Sequence, residues 1–95
     1  MIFDIIDKTG RKIHLSKERW IHILEHKGME NYLEDIKNTI ENPLKIISHD
    51  CGELYDYYEF YKYRKSNSKF LKVVVKYLNG TGFVLTAYFV PQITT

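Results

Sequence analysis

The stretch FLKVVVKYLNGTGFVLTAYF, residues Phe70–Phe89, decides the fold. Two β-rich runs, Leu71–Tyr77 and Phe83–Phe89, flank Asn79-Gly80-Thr81-Gly82, a pattern that predicts a β-hairpin. Side chains alternate between faces along a strand, so the parity of the loop sets which of them become neighbours. A two-residue Asn79-Gly80 turn would put Leu71, Val73 and Val75 on one face with Thr86 and Tyr88, and would join Lys72 and Lys76 to Phe83 and Leu85. An odd-numbered loop sorts the residues cleanly. Leu71, Val73, Val75, Tyr77, Phe83, Leu85, Ala87 and Phe89 then share one face, and Lys72, Val74, Lys76, Val84, Thr86 and Tyr88 the other. The expected arrangement is the odd loop, with Gly80 or Gly82 taking the φ > 0 position. It yields a sheet with one dry face and one face carrying lysine, hydroxyl and phenol groups.

A chain of 95 residues with 44% hydrophobic composition suits one soluble domain, residues 1–95, around one core. No apolar run reaches membrane-spanning length, and residues 1–15 lack the pattern of a signal peptide, so a cytoplasmic protein without membrane contact is expected. Cys51 is the sole cysteine, which excludes an internal disulfide; it is expected near a turn at Asp50-Cys51-Gly52. The net charge of +2 is small, but between Lys62 and Lys76 lie six basic residues and no acid. Such a cluster can dock an anionic backbone, or merely solvate a loop. Lys72 and Lys76 differ from the rest, because alternation aims them at the face of Thr86.

Taken in order, Ile2–Ile6 and Lys12–Leu15 are short β-like runs around Asp7-Lys8-Thr9-Gly10, predicting a small N-terminal hairpin. Such a hairpin is marginal unless it packs on something else. Ser16 caps a helix over about Lys17 to Lys27, with Glu18 in its first turn and Gly28 as its stop. Trp20, Ile21, Ile23 and Leu24 form its apolar stripe; Arg19, His22 and His26 cluster on the far side. A second helix is expected over about Asn31 to Glu41, buried through Tyr32, Leu33, Ile36 and Ile40 and ended by Pro43. Leu44–Ser48 and Leu54–Tyr63 are further strands. In the second of these Leu54 and Phe60 are expected inward, leaving Tyr55, Tyr57, Glu59, Tyr61 and Tyr63 on the other face. Arg64–Lys69 is a polar loop. The predicted class is α+β, with two N-terminal helices packed on a four-stranded antiparallel sheet and a short N-terminal β-hairpin beside them.

Of the four histidines, His22 and His26 stand one helical turn apart and can act on one object. The spacing is metal-compatible, but the glutamate of H-E-x-x-H is missing from His22-Ile23-Leu24-Glu25-His26, and no cysteine pair supports zinc. Neither a metal nor another cofactor is expected. Histidine also suits proton transfer near neutral pH. RNA cleavage by the 2′-hydroxyl needs a base, an acid, and cations or donors for the charged phosphorane. His22, His26 and Glu59 are candidates for the first two roles. Lys72, Lys76, Thr86 and Tyr88 can supply donors, Arg19 can hold substrate, and sheet-face tyrosines can stack bases.

The pattern Asp7-Lys8-Thr9-Gly10-Arg11-Lys12-Ile13, then Trp20-x-His22-Ile23-x-x-x-His26, then Ile36 to Pro43, then LKVVVKY and FVLTAYF, resembles small phage- and plasmid-associated proteins of the BECR superfamily (barnase, EndoU, colicin tRNases, RelE). The resemblance covers roughly Asp7 to Val90 and is strongest to the group with a helical histidine followed by a strand ending in Thr-Ala-Tyr. It implies two helices on a curved four-stranded antiparallel sheet and metal-independent RNA cleavage, often by a toxin or effector. It also implies His22 or His26 as the catalytic helical histidine and Thr86 as the hydroxyl of the last strand. Where related sequences often carry proline after the second histidine, this chain has Lys27-Gly28. The expected partners are RNA, tRNA among the candidates, and an inhibitor or antitoxin protein. The alternatives are a non-catalytic module of the same fold that binds RNA or protein, and a homodimer joined through an exposed strand edge.

Overall fold

The computed structural model describes residues 1–49 and 52–94. The turn expected around Cys51 lies outside the described residues. The elements are β1 (Phe3–Ile6), β2 (Lys12–Leu15), α1 (Lys17–Leu24), a 3₁₀ turn (Met29–Asn31), α2 (Leu33–Glu41), β3 (Lys45–His49), β4 (Leu54–Phe60), β5 (Phe70–Leu78) and β6 (Thr81–Val90). Among the described residues the strands form one six-stranded mixed sheet in the order β1-β2-β6-β5-β4-β3. This corrects the four-stranded antiparallel sheet expected from sequence; the class remains α+β. The N-terminal hairpin does not stand beside the sheet but enters it. Lys12, Ile13 and His14 of β2 run parallel to Thr81, Gly82 and Phe83 of β6. That pairing solves the instability of an isolated short hairpin, and it is set by contacts far apart in the chain.

The β5–β6 turn is also corrected. Leu78 pairs with Thr81, and Asn79 (φ 54°) and Gly80 (φ 80°) both lie in the left-handed region. Positive φ at both central residues is the type I′ geometry, which Asn-Gly favours and which matches strand twist. The turn is therefore even. Parity is restored further on: Val74 pairs with Thr86 but Val75 with Val84, leaving Leu85 as the extra residue of a β-bulge. Val84 and Ala87 thereby join Leu71, Val73 and Val75 in the core, while Phe83 turns to the opposite face and is 43% exposed.

The core lies between this face and the helices, which contribute Ile23, Ile36 and Ile40. Ser16 caps α1 by accepting from the Arg19 N–H at 3.2 Å. The helix ends at Leu24 rather than Lys27; Ile23 is fully buried and Trp20 packs on the core, but Ile21 and Leu24 are exposed. In β4 the expected faces are exchanged. Tyr57 is fully buried in the core and Tyr55 packs against it, whereas Phe60 is 44% exposed. The Tyr57 hydroxyl tolerates this because it donates to Asp7, fifty residues earlier in the chain.

Gly82 is the one described glycine closely hemmed in by side chains. A Cβ there would lie 2.5 Å from Ile13 Cδ1, 2.8 Å from Tyr77 Cε1 and 3.1 Å from Val75 Cγ1. Ile13 and Val75 are fully buried and cannot give way. Gly82→Ala is expected to destabilise the fold by about 1–3 kcal/mol, read as a lower urea midpoint. Faster amide exchange should appear first in β2, whose parallel pairing crosses this position.

Candidate functional site

The face of the sheet opposite the core is built from residues of alternate parity. Cross-strand rows run Thr86–Val74–Asp56–Ile47 and Tyr88–Lys72–Tyr58–Lys45. β2 pairs with only the Thr81–Phe83 end of β6, so Thr86–Val90 has no strand neighbour on that side among the described residues. The helix α1 packs against β6. That placement brings a helix on the core side within reach of the opposite face.

His26 makes the connection. It follows the end of α1, and its N–H donates to the Ile23 carbonyl at 3.0 Å. Gly28, at φ 85°, then reverses the chain. Across this turn His26 Nε2 lies 3.4 Å from Thr86 Oγ1, and the imidazole stacks on Tyr88 with ring centroids 5.1 Å apart. Lys72 Nζ stands 5.6 Å from the Tyr88 ring centroid on the same row. Asp56, only 5% exposed, sits 3.7 Å from Lys72 Nζ through Oδ2. The same oxygen lies 2.7 Å from His49 Nε2. Burial pulls the Lys72 ammonium down, but the Asp56 carboxylate and the Tyr58 and Tyr88 hydroxyls together outweigh it and the net displacement is upward, so Lys72 stays a positive charge at neutral pH. The Tyr58 hydroxyl, cross-strand from Lys72, is buried without a hydrogen-bond partner among the described residues.

The residues expected from sequence divide accordingly. His26, Thr86, Tyr88 and Lys72 come together. His22 stands edge-on to His26 at 6.2 Å, with its Nδ1 3.2 Å from Glu25 Oε1. Lys76 shares the open face but lies one row away, cross-strand from Phe83 and Leu54. The Arg19 side chain is exposed on α1. Glu59 has the parity of the core face, cross-strand from Leu71, and its carboxylate accepts from the Phe60 N–H at 2.8 Å. The acid beside Lys72 is Asp56 instead. Sequence reading missed Asp56 and His49 because it turned β4 the wrong way round. The available signal was a lone aspartate amid tyrosines in LYDYYEF, a carboxylate that burial would force to find a cation.

Among the described residues no three His, Cys, Asp or Glu side chains converge as a metal-holding group, and no helix is long and apolar enough to cross a membrane. Comparison with protein-family models, with curated proteins and with solved structures gave no match.

Proposed function

We propose that the open face is an acid–base site for phosphodiesters and, more particularly, that the protein is a metal-independent endoribonuclease of the kind that serves as a toxin or phage-associated effector. The observation that carries this reading is the convergence of His26, Thr86, Tyr88 and Lys72 from opposite ends of the chain. In this reaction His26 takes the 2′-hydroxyl proton, O2′ bonds to phosphorus, and the bond to the leaving 5′ oxygen breaks as that oxygen gains a proton. His49, held on Asp56 at the other side of Lys72, is an imidazole suited to supply it. Lys72 and the Thr86 and Tyr88 hydroxyls stabilise the charge that develops on the phosphorane. His22 and Lys76 contribute at the margin.

The test is incubation with tRNA and with mixed RNA in EDTA, comparing wild type with Thr86→Ala. Thr86→Ala is expected to lose at least about tenfold in rate through the missing donor. Unchanged cleavage in Thr86→Ala, or intact RNA with wild type, counts against the site. Salt-sensitive RNA binding without scission would make the same face a binding module instead.

A further inference from the structure

The Arg64–Lys69 loop closes a second feature beside His26. A cavity of about 270 Å³ is lined by His26, Lys27, Arg64, Ser66, Ser68 and Tyr88. Its ionisable wall residues other than Tyr88 are all basic. Arg64 is held in place rather than waving in solvent. Its guanidinium lies 3.7 Å over the Phe89 ring centroid, Nε donates to the Ser68 carbonyl at 2.9 Å, and Nη1 reaches the Tyr32 hydroxyl at 3.4 Å. The loop itself is tied: Lys69 Nζ donates to the Arg64 carbonyl, the Ser68 N–H to Ser66 Oγ at 3.1 Å, and the Tyr61 N–H to the Lys69 carbonyl at 2.8 Å. A guanidinium offers five N–H donors, so this clamp leaves donors over for an anion.

Arg64 is also a wall of a neighbouring cavity of about 450 Å³, whose other walls include Tyr32, Phe60, Tyr61 and Tyr63. Tyr63 is 87% exposed, far from the usual state of an aromatic ring. A polar, cationic pocket thus shares one arginine with an aromatic one, and the first shares His26 and Tyr88 with the site described above.

We propose that the two cavities hold one nucleotide flanking the cleaved bond of a single-stranded RNA. Its phosphate occupies the Arg64–Lys27–Ser66 pocket and its base stacks in the Phe60–Tyr63 pocket. This assignment of a subsite rests on the ribonuclease reading. A phosphate wants fixed donors beside positive charge, and a base wants an aromatic platform without sequence preference. The spacing of one nucleotide supplies both chemistries on either side of a shared cation.

The probe is a fluorescent 2′-O-methyl pentanucleotide, which lacks the attacking hydroxyl and so reports binding alone by anisotropy. Ser66→Asp keeps an acceptor for the Ser68 N–H but places a negative charge in the pocket; about tenfold weaker binding is expected. Tyr63→Ala, at an exposed position, is expected to weaken binding about tenfold through lost stacking. Lys27→Ala, also exposed, should lower the slope of log affinity against log salt by about one. Wild-type affinity in Ser66→Asp, together with an unchanged slope in Lys27→Ala, overturns the phosphate pocket. Wild-type affinity in Tyr63→Ala overturns the base pocket. Cleavage of unmodified RNA is read separately in the same preparations. Scission by wild type with undisturbed binding in Ser66→Asp and Tyr63→Ala and an unchanged Lys27→Ala slope would sink the subsite and keep the ribonuclease. Weakened binding in the variants with no scission by wild type would sink the ribonuclease and keep the subsite.

Discussion

His26→Ala is expected to slow RNA cleavage in EDTA by about 10²–10⁴-fold, the range contributed by a positioned general acid or base. The fold should be untouched, because His26 lies beyond the last turn of α1, is exposed, and its structural bond to Ile23 is made by the backbone. Unfolding midpoints of wild type and variant should therefore coincide. Added imidazole should restore part of the lost rate, which a merely structural role would not permit. His22→Ala is expected to cost less than about tenfold, since that ring is engaged with Glu25 and touches only the edge of His26. His49→Ala is expected to fall near His26→Ala, because it would remove the proposed proton donor to the leaving oxygen. Equal rates for His26→Ala and wild type would remove the basis of the proposed chemistry, whatever the behaviour of the other variants.

The contrast between His22 and His26 shows what a sequence can and cannot carry. Their spacing of one helical turn was legible, and so was the face of β5 that bears Lys72, because alternation in LKVVVKY is a local property. The meeting of the two was not legible. A helical wheel puts His26 opposite the apolar stripe, which would strand it away from the sheet. The wheel fails because α1 ends at Leu24, and because β2 leaves part of the β6 edge open to the turn that follows. The second of these depends on a parallel pairing between strands more than sixty residues apart.

The β5–β6 hairpin teaches a related point. The pattern required one unpaired residue somewhere in the hairpin, or Thr86 and Tyr88 would have joined the core. That requirement is global. Where the residue goes is local: Asn79-Gly80 accommodates positive φ twice, so the turn closes on two residues and the irregularity moves to Leu85. Only Phe83, Val84 and Leu85 are affected, and Thr86 and Tyr88 reach the same face by either route. In β4 no such constraint existed. Aromatic residues occupy both parities, and the choice between Tyr57 and Phe60 turned on a partner for one hydroxyl. That partner is Asp7.

Asp7→Ala is expected to be the most destabilising single change in the chain. The carboxylate is 4% exposed at the turn between β1 and β2. It accepts from the Thr9 N–H at 2.9 Å, the Arg11 N–H at 2.8 Å and the Thr9 hydroxyl at 2.8 Å. From the far side of the sheet it accepts from the Tyr57 hydroxyl and, at 3.2 Å, the Tyr77 hydroxyl. One side chain therefore shapes the N-terminal turn and ties it to β4 and β5. Removing it strands several buried donors at once, each worth about 1–3 kcal/mol when left unpaired. Some will find water, so the expected loss is about 3–5 kcal/mol, against a total of about 5–15 kcal/mol for a natural domain. Calorimetry should show a midpoint lower by roughly 15–25 °C. Asp7→Asn keeps the shape and two acceptor sites, and should cost less. The carboxyl also predicts an acid limb. Burial pushes it up, but the bonds from Tyr57, Arg11 and Thr9 outweigh burial and hold it below the usual carboxylate range. A group lowered in the folded state stabilises fully above its unfolded value, near pH 4, and loses that contribution as pH falls through its folded value. Wild type should therefore lose stability below about pH 4, and Asp7→Asn should show a shallower fall over the same range. Parallel acid limbs in the two proteins would mean that Asp7 carries no charge-dependent stabilisation. The hydroxyl of Tyr57 would then no longer account for the inward turn of β4.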